Sequence, residues 1–116
     1  MTTAFVSTTV PRNDAPDIVF DGRMIASIAS EARDDAWIEL SLYEMDDASW
    51  LAVRKDCSSA AASDTGEVVH IPAERPSNMQ IKAMGLWRWS WLAKDLARTA
   101  GWDVRERVGR AARLAA

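Results

Sequence analysis

The octapeptide GLWRWSWL at residues 85–92 carries three of the chain's six tryptophans, and its flanks decide how it folds. In a strand, the three tryptophans would share one face, because strand side chains repeat every two residues. The flanks favour a helix instead. Ser77 and Gln80 have the spacing of a capping box, good helix formers surround the octapeptide, and Gly101 fits the residue after a helix end. The sequence therefore predicts one continuous helix over residues 77–100.

At about 100° per residue, this helix would have two different sides. We expect the more apolar side to face the core: Ile81, Gly85, Trp89, Leu92, Ala93, Leu96 and Ala100. The opposite side, which we call the tryptophan face, consists of Met84, Trp87, Trp91, Lys94 and Arg98. Indoles four residues apart stack along a helix, and paired exposed aromatics mark contact surfaces. The tryptophan face is therefore the predicted interaction site.

Two interpretations of the tryptophan face stay open. In the first, the face is exposed and supports a homodimer or holds a protein partner, because Trp and Arg are enriched at interface hot spots. In the second, a helix over residues 102–116 folds back through Val104 and Val108 and covers the face within the monomer. A chain this short has few other places for that helix.

Length and composition are those of one small soluble domain. The chain has 116 residues, of which 48% are hydrophobic and 27% charged, and this is enough for a single core without disulfides. Cys57 is the only cysteine, which excludes an intrachain disulfide and a cysteine-based zinc site. No secretory signal and no apolar run of about 18 residues is visible. We expect a cytoplasmic protein that neither enters a membrane nor uses a cofactor.

The charge is distributed unevenly along the chain. Residues 1–80 have a net charge of −8 and residues 81–116 have +5, within an overall charge of −3. A basic end on an acidic body can serve a second partner, or the basic helices can dock on the acidic sheet. Nucleic acid is a candidate partner, with contacts from Arg105, Arg107, Arg110 and Arg113. Because the acidic body repels phosphate, we expect such binding to be weak and non-specific.

The order of elements predicts one α+β domain over residues 1–116. Strand patterns come first and helical patterns last, which is typical of an antiparallel meander of four to five strands followed by two C-terminal helices covering one face. The predicted parts are an extended, partly disordered arm at 1–16, in which Phe5-Val6 could add a short edge strand, a sheet at 17–72 and a helical part at 77–116.

The sheet begins with a predicted hairpin over residues 17–30, because Asp21-Gly22 is a dipeptide typical of tight hairpin turns. A helix over 24–33 competes with its second half. Strands at 37–45, 50–57 and 67–71 follow.

Alternation along the strands predicts which side chains are buried. Ile38, Leu40 and Leu42 form one set, and Leu51, Val53 and Cys57 form its counterpart in the next strand. We expect these residues to pack against Ile81, Trp89, Leu92 and Leu96. The second sheet face would then hold Trp50 beside Trp37 or Tyr43, as cross-strand aromatic pairs.

The pattern Phe20-Asp21-Gly22, followed by Trp37-Ile38-Glu39-Leu40 and Leu42-Tyr43, resembles the N-terminal half of the EXLDI family of small bacterial proteins. The resemblance covers about residues 17–55 and implies a strand meander. The Glu-X-Leu-Asp-Ile motif of the family is absent here. The resemblance therefore implies no activity and no site residue.

Residues with obvious catalytic or metal-binding spacing are not visible. His70 is the only histidine, and no Cys or His lies near it in sequence to complete a metal site. A Ser-His-Asp set stays open, because its members need not be close in sequence, but no nucleophile elbow is visible. The pairs Asp34-Asp35 and Asp46-Asp47 are typical of turns. The sequence predicts no catalytic and no metal site.

Three functions are compatible with these features. The first is a non-enzymatic protein that binds another macromolecule, such as a regulator or inhibitor of a protein complex. Small acidic proteins of this kind occur among mobile-element accessory proteins, including anti-CRISPR-like proteins. This comparison is an analogy with a class of proteins and does not follow from particular residues. The second is a nucleic-acid-binding regulator that uses the basic C-terminal segment. The third is a small enzyme.

Overall fold

The computed structural model describes residues 4–12, 15–59, 65–105 and 108–110. Five strands form one antiparallel sheet in sequence order. They are β1 (Val6–Val10), β2 (Ile18–Ala29), β3 (Ala36–Met45), β4 (Trp50–Ser58) and β5 (Thr65–Ile71). Two short helices follow, α1 (Asn78–Ala83) and α2 (Trp91–Thr99), with a 3₁₀ helix at Leu86–Trp89 between them. The predicted α+β meander with two C-terminal helices is confirmed.

Both helices lie inside the segment for which one helix was predicted. α1 begins with the predicted capping box, in which the Ser77 hydroxyl accepts from the Gln80 N–H and the Gln80 side chain accepts from the Ser77 N–H. The predicted continuity over 77–100 is wrong, because the backbone leaves the helical region at Gly85 and again at Ser90.

The predicted second helix does not begin at Trp102, although Arg110 is helical. Residues 102–105 are not helical. Trp102 packs edge-on against Trp50, with ring centroids 5.1 Å apart. The Arg105 carbonyl accepts a hydrogen bond from the Asn78 side chain at 2.6 Å. Residues 106–107 and 111–116, which complete the predicted helix, lie outside the described residues.

β2 is one continuous strand, so the predicted hairpin at Asp21-Gly22 and the competing helix over 24–33 are both wrong. Gly22 lies within the strand and pairs with Met45 of β3. A Cβ at Gly22 would lie 2.6 Å from the Phe20 ring, so glycine is needed for close packing and not for a turn. The pairing of β2 with β3 shifts between Met24 and Ala26, which is a β-bulge.

The two faces of the curled sheet cover two cores, and the side chains of β2 change face at the bulge. The helix-side core lies under α1, α2 and the 3₁₀ helix and contains Ala26, Leu40, Leu42, Trp50, Ala52, Val69, Ile71, Ile81, Leu86, Trp89, Leu92, Ala93 and Leu96. The strand-side core lies on the other face and contains Val10, Leu51 and Val53, with Ile18, Phe20, Tyr43, Met45 and Val68 packed against them. The first half of β2 faces one core and its second half faces the other.

The predicted burial is correct for β3 and reversed for β4. Leu40 and Leu42 are fully buried in the helix-side core, as predicted. Leu51 and Val53 instead fill the strand-side core, whereas Trp50 lies beneath the helices. Both faces of β4 are buried, so its alternation cannot show which face the helices cover. The predicted aromatic pair of Trp50 on the second face is replaced by an edge-on contact between Phe20 and Tyr43.

The first and last strands meet at one end of the sheet. The Gly66 N–H donates to the Pro11 carbonyl at 2.9 Å. A Cβ at Gly66 would lie 2.9 Å from Val10 and 3.2 Å from the Arg54 carbonyl. β1 therefore belongs to the sheet, although it comes from the segment predicted as an arm, and residues 1–3 and 13–14 of that arm lie outside the described residues. This contact, which we call the clasp, closes the strand-side core.

Candidate interaction site

The geometry of the tryptophan segment is set by its two backbone breaks. Gly85 has φ 86°, a left-handed conformation that glycine adopts without strain. Ser90 has φ 70° and ψ −164°, in a region that is almost restricted to glycine. The Ser90 side chain makes no capping hydrogen bond to α2. The break at Ser90 places Trp87 and Trp91 on different elements, so the predicted stacking at i, i+4 on one helix is wrong.

The three tryptophans of the segment occupy different environments. Trp89 is buried in the helix-side core, as predicted, and its indole N–H has no hydrogen-bond partner among the described residues. Trp87 is half-buried and packs against the same core. Trp91, at the start of α2, is 65% exposed. Trp37 and Trp102 are half-buried and Trp50 is buried, so Trp91 is the one tryptophan that faces solvent.

Two cations of the predicted site lie beside Trp91. Lys94 and Arg98 follow Trp91 by three and seven residues on α2, which places all three on one side of the helix. Both cations are exposed, and Arg98 forms an exposed ion pair with Asp95 at 3.3 Å. We call Trp91, Lys94 and Arg98 the Trp91 surface. Met84 is 41% exposed at the C-terminal cap of α1, outside that helix side.

The candidate nucleic-acid contacts are only partly described. Arg105 is exposed and its guanidinium pairs with Asp103 at 3.0 Å, so part of its charge is neutralised. Arg110 is exposed, and Arg107 and Arg113 lie outside the described residues. A shallow groove runs beside this segment and is lined by Arg98, Gly101, Trp102, Asp103, Val104 and Arg105.

A polar cluster that the sequence did not single out joins the single histidine to the β3–β4 turn. His70 Nε2 lies 3.2 Å from the Ser49 hydroxyl. That hydroxyl donates to Asp47, which also accepts from the Ser49 N–H at 3.0 Å. The hydroxyl, followed by the backbone N–H, lowers the pKa of Asp47. The spacing Asp47-X-Ser49 is a recognisable turn signal, but only the structure brings His70 to it.

The order of this cluster does not suit nucleophilic catalysis. In a catalytic triad the histidine lies between the carboxylate and the hydroxyl and takes the proton of the nucleophile. Here Ser49 is in the middle, its proton is directed at Asp47, and the residue is buried. The cluster therefore stabilises the turn. Within the described ranges, no group of three or more His, Cys, Asp or Glu side chains could hold a metal ion.

No helix among the described residues is long and apolar enough to cross a membrane. Comparison of the chain with family models, with curated proteins and with solved structures finds no match.

Proposed function

We propose that this protein is a non-enzymatic binding protein that acts as a regulator or inhibitor by holding a protein partner on the Trp91 surface. The exposure of Trp91 is the observation that carries the proposal. The other five tryptophans are buried or half-buried against the protein itself, whereas this indole would gain most by being covered. Trp is the residue type most enriched among interface hot spots.

The charge around Trp91 indicates the chemistry of the partner. Between residues 78 and 99 there are four cationic side chains and one carboxylate, in a chain whose overall charge is −3. Lys94 and Arg98 are exposed on the same side of α2 as the indole. A partner with an apolar pocket rimmed by carboxylates would complement this surface, since opposite potentials steer association and select partners.

The test compares Trp91→Ala with the matched control Met79→Ala, which removes an exposed apolar side chain from α1. Captured partners are first identified with the wild-type protein and then produced in pure form for titration calorimetry. Trp91→Ala should weaken binding about 30-fold or more, and Met79→Ala should not. Lys94→Glu should slow association and reduce its salt dependence.

Unchanged affinity of Trp91→Ala would exclude the Trp91 surface as the contact. A sharp fall in the melting temperature of Trp91→Ala would show instead that the indole is covered within the monomer in solution.

Nucleic acid is the second candidate partner, because an exposed indole beside Lys94 and Arg98 has the chemistry for base stacking and phosphate contact. Arg105 is already paired with Asp103, which reduces the charge offered to phosphate. Fluorescence anisotropy with a labelled single-stranded oligonucleotide at low and physiological salt measures this directly. We expect weak binding that disappears at the higher salt.

A small enzyme is the third alternative. The Ser49 hydroxyl is buried and donates its hydrogen bond to Asp47, so it does not support an enzymatic function.

A further inference from the structure

Apart from the clasp, the outer edge of β1 pairs with none of the described strands. Two hydrogen bonds show which of its residues point outward. The Asp21 carbonyl accepts from the Asp46 N–H, so the backbone groups of Asp21 point towards β3. The backbone groups of the even-numbered residues in that part of β2 therefore point towards β1. The Pro11 carbonyl points away from β2, towards Gly66. Because backbone groups alternate along a strand, those of Phe5, Ser7 and Thr9 point outward.

This edge lacks the charges, prolines and bulges that often prevent strand pairing. Residues 4–10 contain no charged side chain and no proline, and the β1–β2 pairing runs without a bulge. Beyond the clasp at Pro11, no described backbone group hydrogen-bonds to the outer edge of β1. An open, uncharged edge of this kind is a template for another strand.

Apolar side chains are concentrated beside the same edge. Of the nine large hydrophobic residues that are exposed in the described chain, five lie on β1, just before it or on β2: Phe5, Val6, Val19, Met24 and Ile25. The Phe5 ring has the Arg23 guanidinium 4.9 Å above one face. Val19 is 67% exposed. An exposed apolar cluster at an unpaired strand edge marks an interface.

We propose that this edge pairs with β1 of a second copy of the same chain, antiparallel and with the two-fold axis at Ser7. A two-fold axis at an outward-pointing residue lets both copies exchange backbone hydrogen bonds there. Ser7 then lies opposite Ser7, and Phe5 of each copy lies opposite Thr9 of the other. In this register Ala4 of the second copy lies opposite Val10, so the pairing of described residues ends just before the clasp at Pro11.

The register also places Phe5 of the second copy in line with an exposed residue of β2. Thr9 pairs with Val19 in β2, and cross-strand partners share a face of the sheet. Phe5 of the second copy therefore extends the row formed by Thr9 and Val19, and the two-fold axis repeats this contact on the other side. The uncharged edges create no repulsion on self-pairing. The result is one ten-stranded sheet.

The experiment uses the residue that a two-fold axis places opposite itself. Wild type, Ser7→Lys, Ser7→Glu and an equimolar mixture of the two variants are compared by sedimentation velocity over a range of concentrations at low salt. Like charges directly opposite each other destabilise a strand pair, so each variant alone should dimerise about fivefold more weakly than wild type. The mixture should form dimer again, with a dimerisation constant about tenfold or more stronger than that of either variant alone.

Two controls keep the result interpretable. Ser27→Lys changes an exposed serine of β2 away from β1 and should leave the dimer unchanged, as should Trp91→Ala. A wild-type protein that remains a 12.8 kDa monomer up to about 1 mM would overturn the proposal. So would a dimer that Ser7→Lys and Ser7→Glu do not weaken, or a mixture that associates no better than its components.

Discussion

Replacing Ser90 by glycine should stabilise the protein. Ser90 has φ 70° and ψ −164°, and a non-glycine residue in this region is strained by about 1–3 kcal/mol. Glycine removes that strain but loses about 0.5–1 kcal/mol more backbone entropy on folding. The net gain should be about 1 kcal/mol, which corresponds to a rise in melting temperature of about 4 °C for a domain of this size.

The sign of this change separates two conformations of the tryptophan segment. If residues 77–100 formed the continuous helix that the sequence predicts, Ser90→Gly would place glycine in a helix interior and would destabilise the protein. The free energy of unfolding, measured by urea denaturation and by calorimetry, therefore tests the broken helix directly. A variant that is less stable than wild type would refute it.

Two further substitutions control for side-chain effects. Ser90→Ala keeps the Cβ that causes the strain and removes a hydroxyl that makes no capping hydrogen bond, so its stability should stay within about 0.5 kcal/mol of wild type. Ala29→Gly introduces glycine at an exposed position of β2 and should cost about 0.5–1 kcal/mol. Only the glycine at Ser90 should be stabilising.

Further predictions concern the two cores and the β3–β4 turn. Leu40→Ala and Leu51→Ala should each cost about 2–5 kcal/mol in urea denaturation, because each residue is buried in a different core; an effect below about 0.5 kcal/mol at Leu51 would show that the strand-side core is open. Gly66→Ala should cost about 1–3 kcal/mol, because its Cβ would lie 2.9 Å from a side-chain carbon of β1, and an unchanged melting temperature would contradict the clasp. The folded-state pKa of Asp47 is lowered, so its stabilising contribution is present above the unfolded-state pKa and is lost as pH falls through the folded-state pKa. The stability difference between wild type and Asp47→Asn should therefore shrink on acidification, and Ser49→Ala should raise the pKa of Asp47 measured by NMR.

The fold class and the identity of the strands from β3 to β5 could be predicted because they depend on local patterns. Leu40 and Leu42 alternate with polar neighbours, and Ser77 and Gln80 form a cap through contacts three residues apart. The assignment of faces in β4 could not be predicted, because residues 50–53 are apolar on both sides. Only the pairing of Leu42 with Ala52 shows which side lies beneath the helices.

The breaks in the helix of the tryptophan segment could not be predicted from the sequence, for a different reason. Gly85 was compatible with a helix interior, and Ser90 has no preference for the backbone conformation it adopts. Tertiary packing favours both breaks. They allow residues 86–89 to form a 3₁₀ helix, from which Leu86 and Trp89 are buried in the core. The exposed side of α2 could be predicted, because Trp91, Lys94 and Arg98 lie within one regular helix.

The clasp also determines the order in which the protein can complete its folding. β1 to β4 are joined by neighbouring pairings that can form while the chain is still being synthesised, but Pro11 and Gly66 are 55 positions apart in sequence. Closing so long a loop is entropically slow. Until Gly66 leaves the ribosome, Val10 has only part of its packing partners and the strand-side core stays open. The nascent sheet therefore passes through a stage with an exposed apolar face and a first strand that has not yet met β5, when premature association with neighbouring chains would be most damaging.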